Sequence, residues 1–331
     1  MKKSILDSEG LDYYFSSYSH VGIHYEMLKD AVRTDSYRTA IVDNPDLFKG
    51  KIVMDLGCGT GILSMFAAQA GAKRVIAIDA ASIINIARRI AKENNFEKTI
   101  QFCKGRIEEV KVPVAKVDVI VSEWMGYLLF FEGMFDSVIH ARDKYLAKGG
   151  TLFPNQEVIY VSGFEDQEFG AGAEKYKNYK GVNFEDFIDI MYLMPTIDVI
   201  KPGKVITSDA TVIKFDLEKV TVEELNFSKQ FRLKVKREGV IHGFVLWFDS
   251  LFTHGSESVN LSTSPYTETT HWKQSLFYLR EPISVNKGNN IDVIFTMKKN
   301  PKNPRDLDIR IDYRMKTDQI EIKKHQFYTY K

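Results

Sequence analysis

Ile52-Val-Met-Asp55-Leu-Gly57-Cys-Gly59-Thr-Gly61-Ile62 is the stretch on which the fold turns. A short apolar run, Ile52 to Leu56, meets a loop of three glycines, and Ile62 to Ala70 then takes up helical spacing. Glycines between a strand and a helix let the backbone turn sharply and let a ligand approach with no Cβ in the way. The rhythm continues with Val75 to Ile78 before Ile83 to Ala91, then Ile100 to Cys103 and Val117 to Val121. Apolar strands alternating with helices describe βαβ units and a parallel, Rossmann-like sheet with both faces covered. The loop is not a dinucleotide fingerprint, because G-x-G-x-x-G begun at Gly57 requires glycine where Ile62 stands. Asp55 would repel a pyrophosphate but suits a cationic amino-acid group, and Asp79, ending the second strand, is placed to accept from ribose hydroxyls. These features predict a nucleoside ligand without a phosphate bridge. S-adenosyl-L-methionine, with its ammonium, sulfonium, ribose and adenine, meets the description.

After Pro154 the periodicity changes to two. Leu307, Ile309, Ile311 and Tyr313 interleave with Asp308, Arg310 and Asp312, and Phe231, Leu233 and Val235 interleave with Arg232, Lys234 and Lys236. Half-buried strands with few helical patterns predict an antiparallel sandwich or barrel. From about Phe169 to Pro202 the strands give way to apolar and aromatic residues, Tyr176, Tyr179, Phe184, Phe187, Ile190, Met191 and Tyr192, which read as an inserted helical arm.

Composition narrows the function. The chain has 331 residues, enough for two domains with ample cores. Lys and Arg number 45 against 44 Asp and Glu, so bulk charge offers no support for direct nucleic-acid binding. Cys58 and Cys103 are the only cysteines and lack metal-ligand spacing, which predicts no metal and no disulfide framework. No apolar run approaches membrane-spanning length and the N-terminus lacks an apolar core, so a soluble protein of the cytoplasm, the nucleus or both is expected, with no membrane partner.

Glu123 and Glu132 frame Ser122-Glu-Trp-Met-Gly-Tyr-Leu-Leu-Phe-Phe-Glu132, one of the most apolar and aromatic stretches of the chain. Burying a lone carboxylate costs several kcal/mol, so the pair implies a cationic guest or a protonated acid. A planar guanidinium, with its fixed fork of N–H donors, fits two carboxylates at once. The plainer alternative is that each glutamate caps a helix or faces solvent.

Taken in order, Tyr-Tyr-Phe15-x-x-Tyr18-x-His-x-Gly-Ile-His24-x-x-Met27-Leu-Lys-Asp30, Val-Arg33-Thr-x-x-Tyr37-Arg, the Asp55-to-Gly61 loop, Ser-Glu123-Trp-Met-Gly-Tyr, Glu132 and Thr270-His271-Trp272 resemble the type I protein arginine N-methyltransferases. The resemblance covers nearly the whole chain. It implies lid helices over residues 1–40, a cofactor domain over 41–153, and a β-barrel over 154–331 with a dimerisation arm at about 168–202. It further implies methyl transfer from S-adenosyl-L-methionine to protein arginine, giving monomethyl and asymmetric dimethylarginine. Glu123 and Glu132 would clamp the substrate guanidinium, with Tyr18 adding a hydroxyl. His271 would pair with Asp30 and brace Glu132. Arg33 would meet the methionyl carboxylate, His24, Gly57 and Gly59 would contact the cofactor, and Glu108 would accept from the adenine amino group. Met27, Met134 and Trp272 would shape the substrate site, Met27 and Met134 limiting the product.

The chain departs from the family at two points. Asp79 stands where glutamate is usual, which moves the ribose closer to the strand, and the arm keeps Phe184 and Phe187 without tandem tryptophans. A homodimer through the arm, with possible higher oligomers, is expected. Arg/Gly-rich proteins, RNA-binding proteins or histone tails are the expected substrates. A small-molecule methyltransferase would account for the glycine loop alone, and an inactive scaffold conflicts with the intact Glu123, Glu132, Arg33 and His271.

Overall fold

The apolar strands of the first half, each flanked by helical segments, build one layered domain. The computed structural model describes residues 18–317 and 320–330. Helices α1 (Val21–Lys29) and α2 (Ala31–Val42) precede a parallel sheet of β1 (Ile52–Leu56), β2 (Arg74–Asp79), β3 (Ile100–Lys104), β4 (Val117–Val121) and β5 (Leu146–Phe153). The strand order is β3-β2-β1-β4-β5, so the order reverses beside β1 and opens a crevice at its carboxyl end. Helices α3 (Ile62–Gln69), α4 (Ile84–Glu93) and α5 (Phe135–Tyr145) alternate with the strands. Val53, Met54, Val75, Ile76, Ala77, Ile120 and Val121 are wholly buried, as strands covered on both faces require.

Beyond β5, alternation of apolar and polar residues gives antiparallel pairing. Strand β6 (Gln156–Phe164) lies between β10 (Ala210–Asp216) and the long β12 (Gly239–Phe252), which continues to β14 (Gln274–Val285) and β9 (Thr196–Asp198), with β13 (Val259–Ser262) on β12. A second sheet runs β11 (Phe227–Lys234), β15 (Asn290–Lys299), β16 (Leu307–Lys316) and β17 (Glu321–Tyr330). Aromatic contacts fill the space between the sheets, Phe244 meeting Tyr313 at 6.0 Å and Phe277 meeting Tyr328 at 5.0 Å between ring centres. Leu307, Ile309, Ile311, Tyr313 and Met315 all point into this core, in the period-two pattern of β16.

The arm comprises α6 (Gln167–Lys177), the two-stranded β7 (Asn178–Tyr179) and β8 (Val182–Asn183), and α7 (Glu185–Met191). Only Ala173, Ile188 and Tyr192 of it are buried against Phe164, Val245 and Tyr278. Tyr176, Phe184, Phe187 and Ile190 remain exposed, an apolar face rimmed by charge. On the lid helix α1, Val21, Tyr25 and Leu28 form a second exposed stripe at helical spacing. The expected aromatic motif at residues 13–15 lies outside the described residues. No described helix is long and apolar enough to cross a membrane.

Candidate active site

Segments far apart in sequence meet around one cavity of about 640 Å³ at the carboxyl end of β1. Its floor is the glycine loop. Gly57 and Gly59 hold φ of 74° and 52°, the left-handed region that a side chain strains. A Cβ on Gly57 would lie 2.7 Å from Met134 Cε, and one on Gly59 would lie 3.2 Å from the His24 ring. The loop is therefore packed from above by two residues of the expected site, and bare backbone faces the cavity. At the end of β2, Asp79 accepts the Gly59 amide at 2.8 Å and the Ala81 amide at 2.7 Å while lining the cavity. Burial raises the Asp79 carboxyl above its ordinary range, against the pull of those amides and of His24. Glu108 accepts from the Ser137 hydroxyl at 2.7 Å, and His24 Nε2 lies 2.8 Å from the Tyr18 carbonyl.

Asp55 corrects one expectation. Its side chain does not line the cavity; it is buried beneath the loop and accepts from the Ser64 hydroxyl at 2.6 Å, leaving the other oxygen without a hydrogen-bond partner among the described residues. A carboxylate at the end of a central parallel strand points into the helix layer when the chain turns straight into α3. Burial, with the nearby Asp79 charge adding, pushes Asp55 up to about 7, while its contacts with Ser64 and the charge of Arg33 oppose the rise. For an acid with a raised folded-state value, the protonated form stabilises the fold at low pH and that contribution is lost as pH rises through the folded value. Asp55 should thus lower the melting temperature progressively from about pH 4 to about pH 7. Asp55→Asn should flatten that decline in thermal melts, and parallel curves for the two proteins would refute the assignment.

One wall is an ion pair. Arg33 Nε and Nη2 both donate to Glu123 Oε2, at 2.8 and 2.7 Å, with both side chains under a tenth exposed. Asp30 sets this arrangement up as the N-cap of α2, accepting the Arg33 amide at 3.0 Å through Oδ1. Its Oδ2 accepts the His271 amide at 2.8 Å and meets His271 Nδ1 at 2.7 Å. Although desolvation by burial opposes it, these bonds hold the Asp30 carboxyl below its ordinary value. Trp272 lies tilted against the His271 ring, centres 3.9 Å apart, and donates from Nε1 to the Met125 carbonyl at 3.0 Å. The barrel loop is thereby fastened to both the lid and the glutamate segment.

Glu132 is held differently from the expectation that His271 and Asp30 brace it. Those two lead through Arg33 to Glu123, whereas the Glu132 amide donates to the Arg305 carbonyl at 3.2 Å. The reason is topological: α1, α2 and the Thr270–Trp272 loop cover one side of the cavity, and the β15–β16 hairpin covers the other. Although Glu132 is exposed to the cavity, apolar surroundings raise its carboxyl above the usual range, with Arg305 opposing and Asp306 adding. Tyr18, Met27, Met134 and Trp272 line the same cavity. Arg305 and Ser64 carried no sequence signal, since one sits in an Asn-Pro-Arg-Asp turn and the other in an ordinary helix. Tyr37, whose hydroxyl donates to the Ser122 carbonyl at 2.9 Å, was legible only as part of the lid motif.

Residues 155–319 match the family described as an arginine methyltransferase oligomerization subdomain, and residues 47–184 match a methyltransferase domain. Over 303 residues the chain is 46% identical to protein arginine N-methyltransferase 1 of Dictyostelium discoideum, covering 91% of this chain and 89% of that protein. The chain belongs to the protein arginine N-methyltransferases. The enzyme of the same name from Saccharomyces cerevisiae is 43% identical, over 95% of this chain and 91% of its own. Among solved structures, the Trypanosoma brucei PRMT1 enzyme–prozyme heterotetrameric complex with AdoHcy superimposes with a TM-score of 0.93 at 37% identity, covering 96% of this chain and all of that one. Arabidopsis thaliana protein arginine methyltransferase 10, in an open conformation, gives 0.86 at 30% identity, covering 96% of this chain and 99% of that one.

As a member of this family the chain is an arginine methyltransferase that uses S-adenosylmethionine. The residues present suit that cofactor: a loop that a Cβ would fill, a strand-end carboxylate and a buried arginine share one cavity. Among the described residues, no group of three or more His, Cys, Asp or Glu is placed to hold a metal ion.

Proposed function

We propose that this methyltransferase modifies arginine in Arg/Gly-rich protein segments and proceeds from monomethyl to asymmetric dimethylarginine. The observation that carries the reading is the placement of Glu123 and Glu132 on one cavity with the glycine loop. Bound S-adenosylmethionine supplies an electrophilic methyl group on a sulfonium. Arginine is a poor nucleophile because its nitrogen lone pairs are delocalised and its pKa exceeds about 12. Two carboxylates orient one terminal nitrogen and draw positive charge toward the others, so positioning and electrostatics do most of the work. On taking up the methyl group the guanidinium nitrogen must shed a proton, and Glu132, whose surroundings raise its carboxyl's affinity for one, would be the acceptor.

Arg33 and Asp79 are proposed to hold the methionyl carboxylate and the ribose, and Glu108 and His24 to complete the cofactor site. Met27 and Met134 are unbranched and adaptable beside the reacting nitrogen, leaving room for a second methyl on the nitrogen already modified. A homodimer through the arm is proposed because its exposed aromatic face needs cover and the lid helix presents a second apolar stripe. The test of function is incubation with labelled S-adenosylmethionine and an Arg/Gly-rich peptide, with the methylarginine isomers resolved by mass spectrometry. Asymmetric dimethylarginine is expected. Monomethylarginine alone overturns the product assignment, and no transfer to arginine overturns the reading of the site.

A further inference from the structure

The segment carrying the two glutamates is strained. Leu128, Leu129 and Glu132 all have positive φ, at 48°, 72° and 55°, and none is glycine. Each such residue costs about 1–3 kcal/mol and persists only where its surroundings over-determine it. Part of the restraint is internal: the Phe131 amide donates to the Tyr127 carbonyl at 3.0 Å, and Gly126 lies so close to Phe131 that a Cβ there would sit 1.6 Å from the Phe131 carbonyl oxygen. The rest comes from the barrel. The Arg305 carbonyl takes the Glu132 amide, and the Tyr330 ring stacks on Phe131 with centres 4.4 Å apart and planes 30° from parallel. Tyr330 is itself fixed, buried and hydrogen-bonded through its hydroxyl to Ser275 Oγ at 3.1 Å, and its backbone pairs with Leu307 in the β16–β17 ladder.

We propose that Tyr330, in the last strand of the barrel, is a positioning residue for Glu132, acting through the Phe131 ring. Phe131 immediately precedes Glu132, so a rotation of its ring or backbone swings the adjacent left-handed residue and its carboxylate. The same strand is tied to the arm, since the Thr329 amide donates to the Leu193 carbonyl at 2.9 Å and Gln326 Nε2 donates to the Tyr192 carbonyl at 2.7 Å. The barrel's end is thus fastened on one side to the base of the arm and on the other to the clamp.

This inference rests on the reading of Glu132 as a clamp on the substrate. Tyr330→Ala is expected to lower kcat about 100-fold, the loss that follows misplacement by about 1 Å. Cofactor Kd, measured by titration calorimetry, should stay within about twofold of wild type because the glycine-loop side of the cavity is untouched. Tyr330→Phe keeps the stack and should restore kcat, while Tyr330→Leu fills the space without a ring and should not. Retained kcat in folded Tyr330→Ala or Tyr330→Leu overturns the inference, as does a parallel fall in kcat, cofactor affinity and Tm, which marks a merely structural role. Wild-type turnover in Glu132→Gln would instead overturn the reading of the clamp itself.

Discussion

Glu132→Gln is expected to lower kcat about 1,000-fold, the scale of losing one charge-stabilising group in a dry site. Guanidinium offers only N–H donors, so the amide nitrogen of Gln presents a donor to a donor, and the proton acceptor is lost as well. Cofactor Kd and Tm should change little, because among the described residues the buried ion pair of the site is Arg33–Glu123, and the Glu132 backbone amide keeps its bond to Arg305. Glu123→Gln should behave differently. Its carboxylate compensates Arg33, and both side chains are nearly closed to solvent. Removing one partner of a buried pair leaves an uncompensated charge and costs about 3 kcal/mol or more. That variant should lose turnover, melt several degrees earlier and bind cofactor more weakly. Steady-state kinetics with calorimetry and thermal melts separates the two profiles. Identical profiles for both variants would contradict the division of roles drawn from the geometry.

Asp30→Ala is expected to be the most disruptive change outside the clamp. One carboxylate caps α2 at the Arg33 amide and takes both the His271 amide and Nδ1. Losing the cap costs about 1 kcal/mol, and leaving buried donors unsatisfied costs about 1–3 kcal/mol more. The sum should appear as a lowered Tm. Since Arg33 follows the cap and pairs with Glu123, kcat should also fall about 100-fold through misplacement. Asp30→Asn keeps one carbonyl oxygen for the cap and should recover much of the stability while recovering less of the activity. Chemical denaturation with parallel kinetics tests this, and an Asp30→Ala protein of wild-type stability would show that the lid and barrel are joined elsewhere.

Much of the fold was legible from residue order. The Ile52–Ile62 stretch and the repeats after it could only be a covered parallel sheet, and the alternation at Leu307 to Tyr313 could only be a strand with one buried face. The candidate site was legible where a motif was dense, as in the lid, the glycine loop and the Glu123 segment. It was misread where direction mattered. Asp55 was expected in the cavity because it borders the loop, yet the strand's pleat sends its side chain toward Ser64. Glu132 was expected to lean on His271, yet its restraint comes from Arg305, 173 residues away in the chain by the difference of the two numbers.

The sequence by itself determined the order of a parallel-sheet domain before an antiparallel one, the glycine cradle, the chemistry of two carboxylates in an apolar segment and the family that combines them. These are properties of local periodicity and residue type, which short stretches carry. Only the tertiary structure decided which partner each carboxylate meets: Arg33 for Glu123, the β15–β16 hairpin for Glu132, Ser64 for Asp55. Such pairings depend on how loops from the lid, the sheet and the barrel converge, and on strained backbone at Leu128, Leu129 and Glu132 that no local preference favours.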